Sequence, residues 1–276
     1  LPVNPLRMFF VRFDLRDHRK IAVIDRRIAY TGSMNIADPL YFKKDAGVGQ
    51  WVDAMVRIEG PAAWVLEAVS LSLTSLQTGA HFAPQPMPQL PLAGSGQVQV
   101  FPSGPESAKV PIDAVLLAAI YAARREIVLT TPYFVPSPAL LTAMRSAALR
   151  GVRVVLIVPE RGDSRLVRYA SEAFNEDLLS VGVTILHFQS GLLHTKSMVV
   201  DEEFTIFGTV NLDLRSFELN FEVSIMAFDR EFSLATRALQ RSYENRSRCL
   251  SLDEWRTRPR ARRLLENAVQ TMSPLL

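Results

Sequence analysis

His18-Arg19-Lys20-Ile21-Ala22-Val23-Ile24-Asp25, followed by Gly32-Ser33-Met34-Asn35, recurs as His194-Thr195-Lys196-Ser197-Met198-Val199-Val200-Asp201, followed by Gly208-Thr209-Val210-Asn211. Equivalent positions lie 176 residues apart throughout. A motif repeated in register implies two homologous lobes, each supplying half of one site. In both copies a β-rich run, a short polar turn (Asp25-Arg26-Arg27 and Asp201-Glu202-Glu203) and a second β-rich run carry the residues, which predicts strand, turn, strand. A lone HxK pair or a lone GSxN is an ordinary surface feature. Two complete copies in the same local context are not.

Side chains alternate along a strand, so His18 and Lys20 are expected on one face, and His194 and Lys196 likewise. Brought together, the two halves would place two His, two Lys, Ser33, Asn35, Thr209 and Asn211 around one anion. One imidazole can attack phosphorus and form a phosphohistidine. The other can protonate the departing alkoxide and then deprotonate the incoming hydroxyl. Lysine, amide and hydroxyl donors would stabilise the phosphoryl oxygens, and the reaction calls on no metal and no cofactor. Asp25 and Asp201 complete the six candidate catalytic positions (His18, Lys20, Asp25, His194, Lys196, Asp201). At a turn, seven residues from each His, they are expected to brace the motif rather than react. A carboxylate is needed to orient each imidazole, and Asp53 and Glu222 are the candidates, each in the strand that follows its motif.

The organisation around the motifs is α/β. Pro84, Pro86, Pro88 and Pro91 followed by Gly94-Ser95-Gly96 mark a linker over 83–96, giving a first lobe of 1–82 and a second of 97–276. In the second lobe the pattern reads helix 113–125, strand 126–131, helix 138–150, strand 152–158, helix 165–181 and strand 183–188, a largely parallel sheet with helices on both faces. The motif strands 194–200 and 204–208, a strand 219–228 and a basic helix 230–248 follow. The first lobe shows only the motif strands, a strand 51–59 and a helix 61–77, so its front portion is expected to be missing. His81, His187, Trp51 and Trp255 match no motif and are read as structural.

The 276 residues carry a net charge of +3, but Arg230 to Arg263 holds ten Arg against four acids, leaving the remainder at −3. Such a segment suits an anionic bilayer, with Leu264, Leu265, Val269 and Met272 beside it, or it is a solvated helix face. Cys249 is the only cysteine, which excludes an intrachain disulfide and a thiolate metal cluster. No run reaches the roughly 18 apolar residues of a membrane-spanning helix.

The paired motifs resemble the HKD repeats of the phospholipase D superfamily. Gly191-Leu192-Leu193-His194-Thr195-Lys196-Ser197, Leu219-Asn220-Phe221-Glu222, Thr131-Pro132-Tyr133-Phe134, Asp45 to Asp53 and the closing 273–276 are similar to bacterial cardiolipin synthases. The resemblance implies two pseudo-symmetric α/β lobes, each a mostly parallel mixed sheet flanked by helices, with the site at their interface. It implies transfer of a phosphatidyl group from one phosphatidylglycerol to another, releasing glycerol, at the bacterial cell membrane, where the parent protein is expected to be anchored and this chain peripheral. The family's phosphate-cleft residues correspond to His18, Lys20, Asn35, His194, Lys196 and Asn211, and its acidic partners to Glu222 and Asp53. Tyr133-Phe134 stands where an acyl-bearing substrate would enter. A nuclease of the same superfamily would need a basic, aromatic groove on the catalytic face, and nucleic acid is not the expected partner. A non-catalytic remnant is the third reading, since the front of the first lobe is expected to be missing while both His-Lys pairs survive.

Overall fold

A computed structural model describes residues 16–40, 44–79, 82, 86, 94–105 and 111–271. His81, most of the 83–96 linker, Met272 and the closing 273–276 lie outside the described residues.

In chain order the elements are β1 (Ile21–Ile24), β2 (Ile28–Gly32), β3 (Trp51–Val52), β4 (Met55–Glu59), α1 (Pro61–Thr78) and β5 (Gln97–Ser103). They continue with α2 (Ile112–Ala122), β6 (Glu126–Thr130), β7 (Phe134–Val135), α3 (Pro138–Leu149), β8 (Arg153–Pro159), α4 (Arg165–Glu172), α5 (Asn175–Ser180), β9 (Thr184–Phe188) and β10 (Leu192–Leu193). Then come β11 (Ser197–Val200), β12 (Phe204–Gly208), β13 (Leu212–Asp213), α6 (Leu214–Glu218), β14 (Glu222–Phe228), α7 (Arg230–Glu244), β15 (Ser247–Cys249), α8 (Leu252–Arg256) and α9 (Arg260–Thr271).

Eight strands form one mixed sheet in the order β15-β9-β8-β6-β11-β12-β14-β5. Only the pairs β6–β8 and β8–β9 are parallel in it, while the motif strands and both margins pair antiparallel. The parallel share is therefore smaller than the helix–strand alternation predicts. The alternation extends only over 126–188, and the hairpin that carries the motif adds antiparallel strands beside it.

Both faces of this sheet are covered, which is why its strands read as unbroken apolar runs. Ile127, Leu129, Val154, Leu156 and Met198 pack under α2, α3 and the helices that follow. The alternate positions Val128, Val155 and Ile157 meet Tyr243 of α7. Two helices and one strand shift from their predicted bounds for local reasons. Arg165 to Val181 divides at Ala173-Phe174 into α4 and α5, and Phe174 turns into the main core. The strand predicted from Leu219 begins only at Glu222, because α6 occupies Leu214–Glu218, its N-terminus capped by Asp213. The basic helix stops at Glu244, and β15 follows it.

The first motif lies in a three-stranded antiparallel sheet, β1-β2-β4, which repeats the arrangement β11-β12-β14. α1 packs on this smaller sheet, and a shared core of Ala29, Val56, Ile58 and Leu66 with Phe207, Val223 and Ile225 joins it to the large one. The copies differ in cover. β11 has β6 on its outer side, whereas among the described residues β1 pairs with β2 alone. Val210 and Leu212 are buried in the main core, while their equivalents Met34 and Ile36 are exposed.

Candidate functional site

Extended segments, not strand interiors, present the histidines. β1 starts at Ile21 and β11 at Ser197, so each His-x-Lys lies just before its strand. Each segment instead pairs with the other half of the molecule. The backbone N–H of His194 donates to Val52 O at 2.9 Å, and that of His18 donates to Phe221 O at 2.9 Å. β3 and β10 run parallel through Trp51↔Leu192 and Val52↔Leu193, and Asp17 bridges Phe221 in the same sense. These two short ladders carry the residue after each, Asp53 and Glu222, across to the opposite histidine.

The result is a crossed pair of couples. His194 Nδ1 donates to Asp53 Oδ1 at 2.6 Å, and His18 Nδ1 donates to Glu222 Oε1 at 3.0 Å. The acids expected to orient the histidines are hydrogen-bonded to them, each to the imidazole of the other motif. The strand predicted over 51–59 is interrupted for this purpose: Asp53-Ala54 leaves the ladder between β3 and β4.

The motif hydroxyls hold the acids. Ser33 Oγ donates to Asp53 Oδ1 at 2.7 Å, and Thr209 Oγ1 donates to Glu222 Oε2. Each also accepts the backbone N–H that follows its acid, from Ala54 at 3.0 Å and from Val223 at 2.9 Å. Each hydroxyl has one proton and gives it to its acid, so the expectation that Ser33 and Thr209 donate to the phosphate is corrected. The preceding glycines permit the approach: a Cβ at Gly32 would stand 2.4 Å from Ala54 O, and one at Gly208 2.3 Å from Val223 O.

Lys20 and Lys196 each donate from Nζ to the carbonyl of their own motif histidine, both at 2.7 Å. An ammonium has three donors, so each keeps protons for an anion. Asn211 is buried and Asn35 half-buried. Asp25 and Asp201 do not join the histidines. Both take up positive φ at the hairpin turns, a strand's length away. The Asp201 carboxylate accepts the backbone N–H groups of Arg124, Arg125 and Glu126 at 2.8–2.9 Å, clamping the second hairpin to the start of β6. Their place among the catalytic six is corrected accordingly, while the bracing read from the turn is what Asp201 does.

The two imidazoles sit in different surroundings. The His194 side chain is 8% exposed and that of His18 32%. Burial, then the charge of Lys196, lowers His194 to about 4 against the pull of Asp53, so it is neutral at pH 7. Burial and the charge of Lys20 lower Lys196 to about 7. Burial works to raise Asp53, but the hydrogen bond from His194 and the neighbouring charges bring it below the usual carboxylate value. A neutral imidazole donating to an ionised carboxylate is consistent with both directions.

Two contacts were not foreseen. The Trp51 ring, read as packing alone, lies 4.6 Å from that of His194, tilted 58°. Asn220 Nδ2 lies 3.1 Å from His18 Nδ1 and donates to Glu222 Oε1 at 3.2 Å. Each stands two residues before an acid, and that shared offset is their signal in the sequence. Tyr133 is half-buried and donates to Asp163 Oδ1 at 2.7 Å, but Phe134 is wholly inside the core and lines no entrance. Among the described residues no three His, Cys, Asp or Glu side chains are grouped to hold a metal ion.

A two-fold arrangement of histidine, lysine and crossed acid can carry out displacement at phosphorus. The family described as "Cardiolipin synthase, PLD-like domain" matches residues 116–243. Cardiolipin synthase A of Pectobacterium carotovorum is 48% identical over the whole of this chain, and that of Proteus mirabilis likewise. The chain is similar to cardiolipin synthases, and residues 116–243 match their phospholipase D-like domain. It spans 58% of the length of each of those relatives. The crystal structure of phosphatidylserine synthase from Haemophilus influenzae shares the fold at a TM-score of 0.70, with 14% identity, over 95% of this chain and 72% of that one.

Proposed function

We propose that this chain carries the phosphatidyl-transfer site of a cardiolipin synthase. The observation that supports it most is the pair of crossed couples, His194 with Asp53 and His18 with Glu222, combined with 48% identity to proteins of that name. One imidazole attacks the phosphorus of a phosphatidylglycerol through its unprotonated Nε2. A P–N bond forms, the P–O bond to glycerol breaks, and the other imidazole, protonated, delivers its proton to the departing alkoxide. That imidazole then takes the proton of a second phosphatidylglycerol's headgroup hydroxyl. The new P–O bond forms as the P–N bond breaks, giving cardiolipin. Lys20, Lys196, Asn35 and Asn211 stabilise the phosphoryl oxygens, and Asp53 and Glu222 hold both imidazoles in the reactive tautomer. In this reading the lobes are 1–82 and 97–276, joined by 83–96, and the chain works peripherally on an anionic bilayer.

The test is conversion of labelled phosphatidylglycerol in mixed micelles containing EDTA, with His18→Ala and His194→Ala alongside. Cardiolipin and glycerol in equal amounts, both lost in each variant, is the expected result. Cleavage of DNA with no turnover of phosphatidylglycerol would replace the reading with a nuclease.

A further inference from the structure

Glu222 is more heavily solvated by protein than Asp53. Its Oε2 accepts from Thr209, as Asp53 accepts from Ser33, and its Oε1 accepts from His18, as Asp53 accepts from His194. Beyond this shared pattern Glu222 has Asn220, whose side chain is 1% exposed and whose Nδ2 donates to Oε1 at 3.2 Å. At the same offset from Asp53 stands Trp51, whose ring lies against that of His194 at 4.6 Å.

The contact with Glu222 favours one orientation of the amide. With its ends exchanged, an oxygen would face the carboxylate oxygen at 3.2 Å, acceptor against acceptor. Nδ2 therefore points at Glu222. It also lies 3.1 Å from His18 Nδ1, where a bare Nδ1 would accept from the amide and a protonated one converges with it on the Glu222 oxygen; the ionised carboxylate favours the second arrangement. An oxygen that receives both donors is best satisfied as an ionised carboxylate with the His18 proton on Nδ1. α6 keeps Asn220 in place, since the backbone N–H groups of Leu219 and Asn220 both donate to Arg215 O, at 2.9 and 3.0 Å.

We propose that Asn220 is a positioning residue for His18: its amide completes the shell of donors around Glu222 and so fixes His18 as the Nδ1–H tautomer, with Nε2 left unprotonated to react. The proposal rests on the reading of His18 as a reacting group, but the tautomer is measured without substrate, so the two stand or fall separately.

The experiment is two-bond ¹H–¹⁵N correlation on the full chain with ¹⁵N-labelled histidine, at a pH where His18 is neutral. Wild type is compared with Asn220→Ala and with Asn220→Leu, which fills the same space without a donor. The wild-type His18 pattern should be that of the Nδ1–H form alone. Both tautomers should appear in the variants, with the His194 pattern unchanged, and kcat should fall about tenfold to a hundredfold with little change in KM, the worth of one hydrogen bond to a charged group. A variant that keeps the pure Nδ1–H pattern would overturn the proposal, whether or not its kcat falls. Should Asn220→Ala not fold, the same readings on Asn220→Leu decide.

Discussion

Asp53 and Glu222 act on each other's side of the molecule, and the sequence does not display this. It shows both acids and both histidines, but Asp53 lies 20 residues after Ser33 and Glu222 13 after Thr209, so unequal loops hide an equivalence that the hydrogen bonds make plain. The roles of Ser33 and Thr209 were hidden for the same reason, because a hydroxyl in a GSxN motif looks free until its acid is placed beside it. Asp53→Asn and Glu222→Gln should each lower kcat by about 10²-fold or more, since an amide can hold the imidazole in the wrong tautomer. Steady-state assays showing either variant at wild-type rate would remove that acid from the account. Lys196, brought to about 7 by burial first and Lys20 second, gives a second test. Its folded value is depressed, so the ammonium is lost as pH rises through 7. Sulfate, whose own charge is constant over this range, should bind about tenfold more weakly for each pH unit above 7, and Lys196→Met should flatten the dependence. Calorimetric titration from pH 6 to 8.5 reads this directly, and a flat wild-type profile would contradict it.

At the scale of elements, the repeat made the hairpins legible, while their ends were set by tertiary contacts. Period-two alternation ran on to His194 in the sequence, yet the ladder begins at Ser197 because His194 and Thr195 give their N–H groups to Val52 O instead. Asp201 shows what the motif aspartate contributes. Its carboxylate satisfies three successive N–H groups where β6 begins, and burial, which would raise it, is outweighed by those donors and by Arg125, so it stays below the usual carboxylate value. Asp201→Ala should therefore cost about 2 kcal/mol of stability, combining lost hydrogen bonds with an alanine forced to positive φ, and leave kcat within about a factor of two. Thermal unfolding with parallel kinetics separates the possibilities. An unchanged Tm with collapsed kcat would return Asp201 to the chemistry.

Over the whole molecule, the α/β class followed from the alternation of helix and strand, but the disposition of charge did not follow from counting. Of the ten arginines between Arg230 and Arg263, six are engaged by acids. Arg237 is held between Glu126 and Glu244, and Arg241, Arg248, Arg256, Arg258 and Arg262 meet Glu202, Glu254, Glu176, Glu266 and Glu172. Val269, expected on the lipid-facing side, is buried, whereas Leu264 and Leu265 are exposed. No helix among the described residues is long and apolar enough to cross a membrane. If the chain rests on a bilayer through α9, binding to phosphatidylglycerol vesicles should survive moderate salt and weaken in Leu264→Glu/Leu265→Glu. Cosedimentation that is abolished by salt and indifferent to those leucines would place the contact elsewhere.

In the proposed mechanism two histidines, each held by the other motif's acid, share one phosphoryl transfer. The most direct measurement is mass spectrometry of the chain quenched during turnover of phosphatidylglycerol. The account predicts a phosphatidyl adduct on one of the two, His18 or His194, absent when that residue is alanine and accumulating when the other is. Turnover with no adduct on either histidine, persisting in both alanine variants, would contradict it.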